Sequence, residues 1–504
     1  MLNWVRHIFG WWRTDAPRHL PAPRRWGEAS SLPALRARYD AAVTNHENRR
    51  HWAGADHLSA DAAASPEVRR ILRNRARYEV ANNSYARGIV LTLANYVVGT
   101  GPRLQMITGD GDVDRLIERE FRRWAKQVGL AHKLRTMRVA EAESGEAFAI
   151  LATNPRIRGP VQLDLKLIEA DRVATPFEFR DNDRVRDGII YDEFGNPAGY
   201  FVLRRHPGDK HASRGGLMEY DLVPAGAMLH LYRADRPEQS RGIPEITPAL
   251  PLFAMLRDYG LAVLQAAQHA ALPGGVIYTD APADSEAANV EPMDSVEMDR
   301  GTWLTMPYGW KVGQVRAEQP TTMHDQFTRT ILQEIARCLN MPFNVAAGNS
   351  AGYNFASGRL DHQSFYKAIR IDQTFMAETV LDRVLGAWLD EAVLVEGYLP
   401  QQLRVAGMAD QITSQREWFW DGLEHVDPAK EANATATKLA SNTSNLAIEY
   451  AKQGLDWQAE LRQRAKEKAL MRELGLTEEE AAPSEPTEQD EDIEELAEEV
   501  RTHA

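Results

Sequence analysis

MPFNVAAGNSAGYNFASGR, residues 341–359, is the stretch on which the reading of this chain turns. Phe327, Ile331, Ile335 and Leu339 lead into it at helical spacing. Phe365, Ile369, Phe375, Val380, Leu385, Trp388 and Leu389 lead out of it with the same period. Between the two patterns the chain is rich in glycine, asparagine and serine, and Asn344 to Ser357 holds no charged residue. A polar loop carried between two long helices is suited to touching something that moves past it. The alternative is an ordinary helix connection, for which about fifteen residues is long.

Outward from this loop the pattern is a series of helices around one group of strands. Ser65-Pro66-Glu67 supplies a cap, a first-turn proline and a first-turn acid, predicting a helix that runs to Gly99 with a break at Asn82-Asn83. Further helices are predicted from Asp114, with Ile117, Phe121, Trp124 and Val128 in period, and over 130–143. Alternation then marks GEAFAIL, VQLDLKLI, GIIYDEFGNPAGYFVL and AMLHLY as strands, within about 145–232. Helical period returns over 244–272 and 322–339, with an insert at 274–319 between them. After the loop, Ser357 can cap a helix of nearly forty residues, about 55 Å long, with Gly386 as a bend. The remainder is helical to Leu474, where Gly475 supplies a stop. The fold class is therefore α+β and predominantly helical.

Composition narrows the function. The 504 residues allow about three domains, and no apolar run reaches ~18 residues, so no membrane span is expected. The first residues, MLNWVRHIFGWW, are too aromatic for a signal segment and read as an arm that packs on a neighbouring subunit. Cys338 is the one cysteine; it follows Ile331 and Ile335 in helical period, which makes it a core thiol and fits a reducing compartment. The net charge of −13 is concentrated in 477–500, which holds twelve acids and no base; the remainder is within one charge of neutral. That tail reads as a solvated acidic segment, and the neutral body argues against tight phosphate binding.

Catalytic signatures are few. No lysine follows a glycine, which excludes a phosphate-binding GxxxxGK[ST] loop, and Gly99/Gly101 reads as a helix stop. No HExxH or CxxC occurs. His46, His51, Asp56 and His57 are a candidate metal cluster without a clear helical face. Asp361-His362 reads as charge at a helix start. Arg69, Arg70, Arg73, Arg75 and Arg77 form a basic helix face, suited to acidic neighbours at a subunit interface or to nucleic acid. Trp418, Trp420 and Trp457 read as packing residues within the fold or between subunits.

Six phrases carry a resemblance: RNRARYEVANNSYARG (73–88), FGNPAGYFV (194–202), RADRPEQSRGIPEI (233–246), LNMPF (339–343), YNFASGR (353–359) and DPAKEA (427–432). In this order they resemble the lambda-type family of tailed-bacteriophage portal proteins. One departure is Phe355, where that family tends to have a small polar residue.

The resemblance implies a non-enzymatic ring of about twelve subunits at one capsid vertex, a conduit for DNA. It implies an arm (1–60), a wing (61–243), a first stem helix (244–272), a clip (273–320) and a second stem helix (321–340). A tunnel loop (341–358), a long helix returning to wing and crown (359–475) and an acidic tail (476–504) complete the layout. Asn349, Ser350, Tyr353, Asn354, Phe355 and Arg359 are then the residues expected at the channel, with no cofactor and no metal. The implied partners are the terminase large subunit, a head-completion connector, the major capsid or scaffold protein, and double-stranded DNA bound without sequence preference. Assembly is expected in the bacterial host cytoplasm and residence in the virion. Two rivals stand beside it: a metal-dependent nuclease built on the 46–57 histidines, and a non-viral helical scaffold.

Overall fold

In the computed structural model the structure describes residues 46, 48–176, 179, 182, 184–209, 219–271, 275–279, 310–314, 323–352, 355–400, 403, 413–422 and 428–476. The residues up to Leu58 form one unit and Ser59 onward another. In the first, His51 donates its backbone N–H to Asn48 and Ala55 to Trp52, in an exposed turn.

The second unit opens with a single turn, Ala60–Ala63, and then helix α1, Pro66–Asn82. Its cap is the predicted one: the Ser65 hydroxyl accepts from the Val68 N–H, and Pro66 needs no partner at the first position. Asn83 ends α1 and starts α2, Ser84–Val97, because its side-chain oxygen accepts from Tyr85 and Ala86. The break at Asn82-Asn83 thus divides two helices. Gly99 and Gly101, both with positive φ, turn the chain out of α2 into strand β1, Arg103–Met106. Helix α3 (Gly111–Val128) is capped by Asp110 and closed by Gly129, and α4 (Leu130–Ser144) by Gly145.

Two antiparallel sheets follow. One is β3-β2-β8, with β2 Glu146–Thr153, β3 Leu163–Ile168 and β8 Met228–Tyr232. The other is β4-β5-β6-β7, with β4 Val185–Arg186, β5 Ile189–Tyr191, β6 Pro197–Leu203 and β7 Tyr220–Pro224. Strand side chains alternate between faces. Ala147, Ala149, Leu229 and Leu231 join the main helical core, while Phe148, Ile168 and Met228 pack with Ile189, Tyr200 and Val202 of the second sheet. The three-stranded sheet is the middle layer.

A 3₁₀ turn, Thr247–Ala249, leads into α5, Leu250–Ala271. Strands β9 (Gly275–Thr279) and β10 (Trp310–Gln314) pair antiparallel, Trp310 opposite Thr279; the remainder of the insert lies outside the described residues. Then come α6 (Met323–Cys338), the short α7 (Phe343–Ala347) and α8 (Phe355–Met376). Beyond α8 the helix opens into a π turn at Ala377–Leu381 and continues as α9, Asp382–Ala392. Gly386 sits inside regular helix, so the irregularity expected there falls one to two turns earlier, on a π turn of the kind that disturbs otherwise straight helices. Val384, Leu385, Trp388 and Leu389 are buried, and Phe121 meets Trp388 edge to face at 5.4 Å.

Strand β11, Arg416–Phe419, pairs antiparallel with β1, a long-range closure that local pattern does not reveal. Helices α10 (Pro428–Ala440), α11 (Leu446–Lys452) and α12 (Trp457–Glu473) end the described chain at the predicted Gly475 stop, φ 65°.

Candidate functional site

The loop between α6 and α8 is shorter than its sequence suggests. Met341 donates to the Ala336 carbonyl across Asn340, which turns the chain with φ 52°. Pro342 then starts α7, and Gly348, left-handed at φ 61°, ends it. The polar link proper is 348–354. Its length is ordinary for two helices, so length no longer argues for a special role. Asn349 and Ser350 are exposed, and the Asn349 side chain accepts from the Ala351 N–H at 2.9 Å. Tyr353 and Asn354 lie outside the described residues. Phe355 is the first residue of α8, before the predicted Ser357 cap, and its side chain is not among those described; Arg359 is exposed on the same helix.

Residues 348–352 also spell GNSAG, the G-x-S-x-G spacing of a hydrolase nucleophile elbow. That elbow needs a strand before the serine. Here helix α7 precedes Ser350, so the context for an activated serine is missing.

A chain of side chains secures the loop's base. Asn344 meets His362 Nε2 at 3.0 Å, and His362 Nδ1 meets the Tyr366 hydroxyl at 3.1 Å. His362 therefore lies two turns inside α8 and ties it to α7, which corrects its reading as a helix-start charge. The Arg329 guanidinium of α6 stands over the Phe343 ring at 4.9 Å.

Helices α5 and α6 pack on each other, Tyr259 meeting Phe327 at 4.8 Å. Among the described residues, none of α5 after Leu256 and none of α6 before Leu332 is buried. Leu261, Leu264 and Phe327 are 54%, 55% and 47% exposed. An amphipathic pair with uncovered apolar side chains needs a further surface.

Two buried charge clusters fix the elements around this pair. In the first, Glu146 accepts from Arg241 (Nε 2.8 Å, Nη2 2.6 Å), from Arg73 at 3.0 Å and from the Gly242 N–H at 3.2 Å, and stands 3.1 Å from His230. Burial alone would raise its pKa, but Arg241, His230 and Arg73 hold it well below the ordinary carboxylate value. Burial conversely keeps His230 below its usual value. In the second cluster Arg138 of α4 binds Glu245 at 3.0 and 3.2 Å and Asp372 of α8 at 3.1 Å, with Glu141 at 3.4 Å. Burial pushes Glu141 up to about 8 and Asp372 upward, despite Arg138.

Comparison with known proteins decides the family. The model described as phage portal protein, lambda family, matches residues 32–373, more than half of the chain. The chain belongs to that family. Among curated relatives, the probable portal protein of Halomonas phage phiHAP-1 is 27% identical over 472 residues, covering 86% of this chain and 89% of its own. Portal protein B of Escherichia phage lambda is 21% identical over 467 residues, covering 83% and 87%. Among solved structures, the neck of an empty gene transfer agent particle computed with C6 symmetry gives a TM-score of 0.45 at 17% identity, covering 75% of this chain and 92% of that one.

For this portal protein the basic face of α1 needs correction. Arg69 pairs with Asp187; Arg73 with Glu146 and Asp171; Arg77 with Asp171 at 2.8 Å. Three of the five arginines are thus spent inside the subunit, and Arg70 and Arg75 are left exposed. Their acids come from strands and turns 73 or more residues away, which helical period cannot reveal. Trp418 donates to Asp382 at 2.8 Å and packs with Trp420 against the subunit's own core, while Trp457 starts α12. His46, His51, Asp56 and His57 are all exposed. Among the described residues, the group close enough to share a metal is instead Glu169, Asp171 and His206, and Arg73 and Arg77 already occupy Asp171. Cys338 is half-buried and free; burial and Glu245 push its thiol up to about 11, so it stays protonated.

Proposed function

We propose that this portal protein assembles into a closed ring of about twelve subunits at one vertex of a viral head and forms the conduit for DNA during packaging and ejection. The observation that carries the proposal is the α5–α6 pair. Among the described residues it buries none beyond Leu256 and none before Leu332, and it exposes Leu261, Leu264 and Phe327. Neighbouring copies in a ring would cover that surface, as a heterologous interface that closes.

In this reading α5 and α6 are the stem, 273–320 the clip, 348–354 the loop at the channel, and the α8–α9 helix the return to wing and crown. Asn349, Ser350, Tyr353 and Asn354 are uncharged polar residues suited to brief contacts, and Arg359 is the basic residue nearest the loop in sequence. The packaging motor would be a separate terminase docking on the clip. A head-completion connector would follow it there, with capsid or scaffold protein around the wing, in particles assembled in host cytoplasm and retained in the virion.

Native mass of the purified protein with negative-stain images of the same fraction tests the ring. A ring with a central hole supports the proposal. A dimer that never closes, alone or with capsid protein present, overturns it.

A further inference from the structure

We infer that α8 carries a proton-sensitive latch: Glu141, Glu245 and Asp372 crowd onto the buried guanidinium of Arg138, and loss of the proton on Glu141 loosens α8 about the π turn at Ala377–Leu381. The other end of α8 carries the loop assigned above to the channel, so the latch would govern that loop's position; this consequence rests on the channel reading.

The charge balance at the junction is uneven. Helix α4 contributes Arg138 and Glu141, and the segment before α5 contributes Arg233, Asp235 and Glu245. Helix α8 contributes Asp372 and the end of α6 contributes Cys338, while α2 offers only apolar Leu93. Arg233 stands 3.6 Å from Glu245 and also binds Asp235 at 2.8 Å, so its charge is shared. Three carboxylates therefore face one dedicated cation. Glu141, Glu245 and Arg138 are almost wholly buried, and burial disfavours the charged form of Glu141. A cavity of about 50 Å³ lies beside them, lined by Arg138, Arg233, Glu245, Cys338, Asn340 and Asp372, and gives the side chains room to part.

The two halves of the long helix are held differently. After the π turn, Arg383 donates to the Met228 and Ala225 carbonyls, both at 2.7 Å, and Asp382 accepts from Arg416 and Trp418. That half is fixed to the sheets. Before the turn the polar ties are Asp372 to Arg138, Gln373 to the Tyr96 and Val97 carbonyls, and His362 to Asn344 of α7. A π turn is where a helix changes direction at least cost, and it lies between a half fixed to the sheets and a half, packed through Phe365 and Ile369, whose buried charged tie is the Arg138 cluster.

Sign follows from linkage. A carboxyl whose pKa is higher when packed than when released binds its proton more tightly in the closed junction, so opening is favoured as pH rises. For Glu141, held near 8, opening grows by up to about tenfold per pH unit below that point and levels above it.

Hydrogen–deuterium exchange of the full chain from pH 6 to 9, corrected for intrinsic exchange, tests the latch. Residues 366–376 of wild type should lose protection with that slope. Glu141→Gln should stay protected with a flat profile, and Glu141→Asp, which still titrates, should keep the slope. Asp372→Asn provides an independent neutral variant. A flat wild-type profile, or a Glu141→Gln profile that tracks wild type, overturns the inference. Because exchange needs no DNA, the two readings separate: a flat profile with packaging lost on shortening the loop removes only the latch, and a sloped profile with packaging intact removes only the channel.

Discussion

Arg241 closes on Glu146 through two hydrogen bonds, 2.8 and 2.6 Å, between side chains 95 residues apart and almost wholly buried. The same guanidinium donates to the Val173 and Ala170 carbonyls, so one arginine joins the α4–β2 corner, both sheets and the approach to α5. Removing one partner of such a pair leaves the other charged and dry.

Glu146→Gln should therefore lower unfolding free energy by about 3–5 kcal/mol, measured by denaturant melts. The pH dependence has the opposite sign from that of Glu141. Because the Glu146 carboxylate is held well below 4.5, its contribution is full above that unfolded value and falls away as acid approaches the depressed folded one. An acid-unfolding profile of wild type and variant should converge at low pH. A variant as stable as wild type at neutral pH would contradict this.

Gly145→Ala should fail at the same corner. Gly145 has φ 88°, and an added Cβ would lie 2.5 Å from the Ile243 carbonyl carbon, which is backbone and cannot step aside. The loss should be at least about 1–3 kcal/mol, read as a lowered thermal midpoint.

Leu261→Asp with Leu264→Asp should separate folding from assembly. Both side chains are more than half exposed in the subunit, so its stability should change by no more than about 0.5 kcal/mol for each. Ring formation should be lost, as seen by native mass. Intact rings would mean that this face of α5 is not at a subunit contact.

Deleting 349–352 should leave rings intact and impair packaging or retention of DNA. The deletion stops short of α7 and α8, since Phe343–Ala347 and the Phe355 turn are helical and the Asn344–His362 tie belongs to the scaffold. Loss of rings would make the loop an assembly element.

Much of this was legible locally. Ser65-Pro66 and Asn83 announced helix boundaries because a cap is a contact of two or three residues with their own backbone. The alternating strands were legible for the same reason, and Phe148 against Ala147 and Ala149 shows the two faces. The polar loop was seen but overextended, because glycine and asparagine do not reveal that Pro342 can open one more helical turn. The arginines of α1 read as a free basic face because the acids they meet, Glu146, Asp171 and Asp187, arrive from another layer.

The sequence by itself determined most element types, though not the paired strands β1 and β11, together with the order helix–insert–helix–loop–long helix and the family, since each rests on period, capping and word-like phrases along the chain. Only the tertiary structure decided which charges are spent inside the subunit, where the long helix yields, and which apolar side chains stay uncovered. Those depend on pairings such as Arg138 with Asp372, 234 residues apart, whose attraction gains strength, and whose desolvation cost arises, in a packed interior that no local stretch contains.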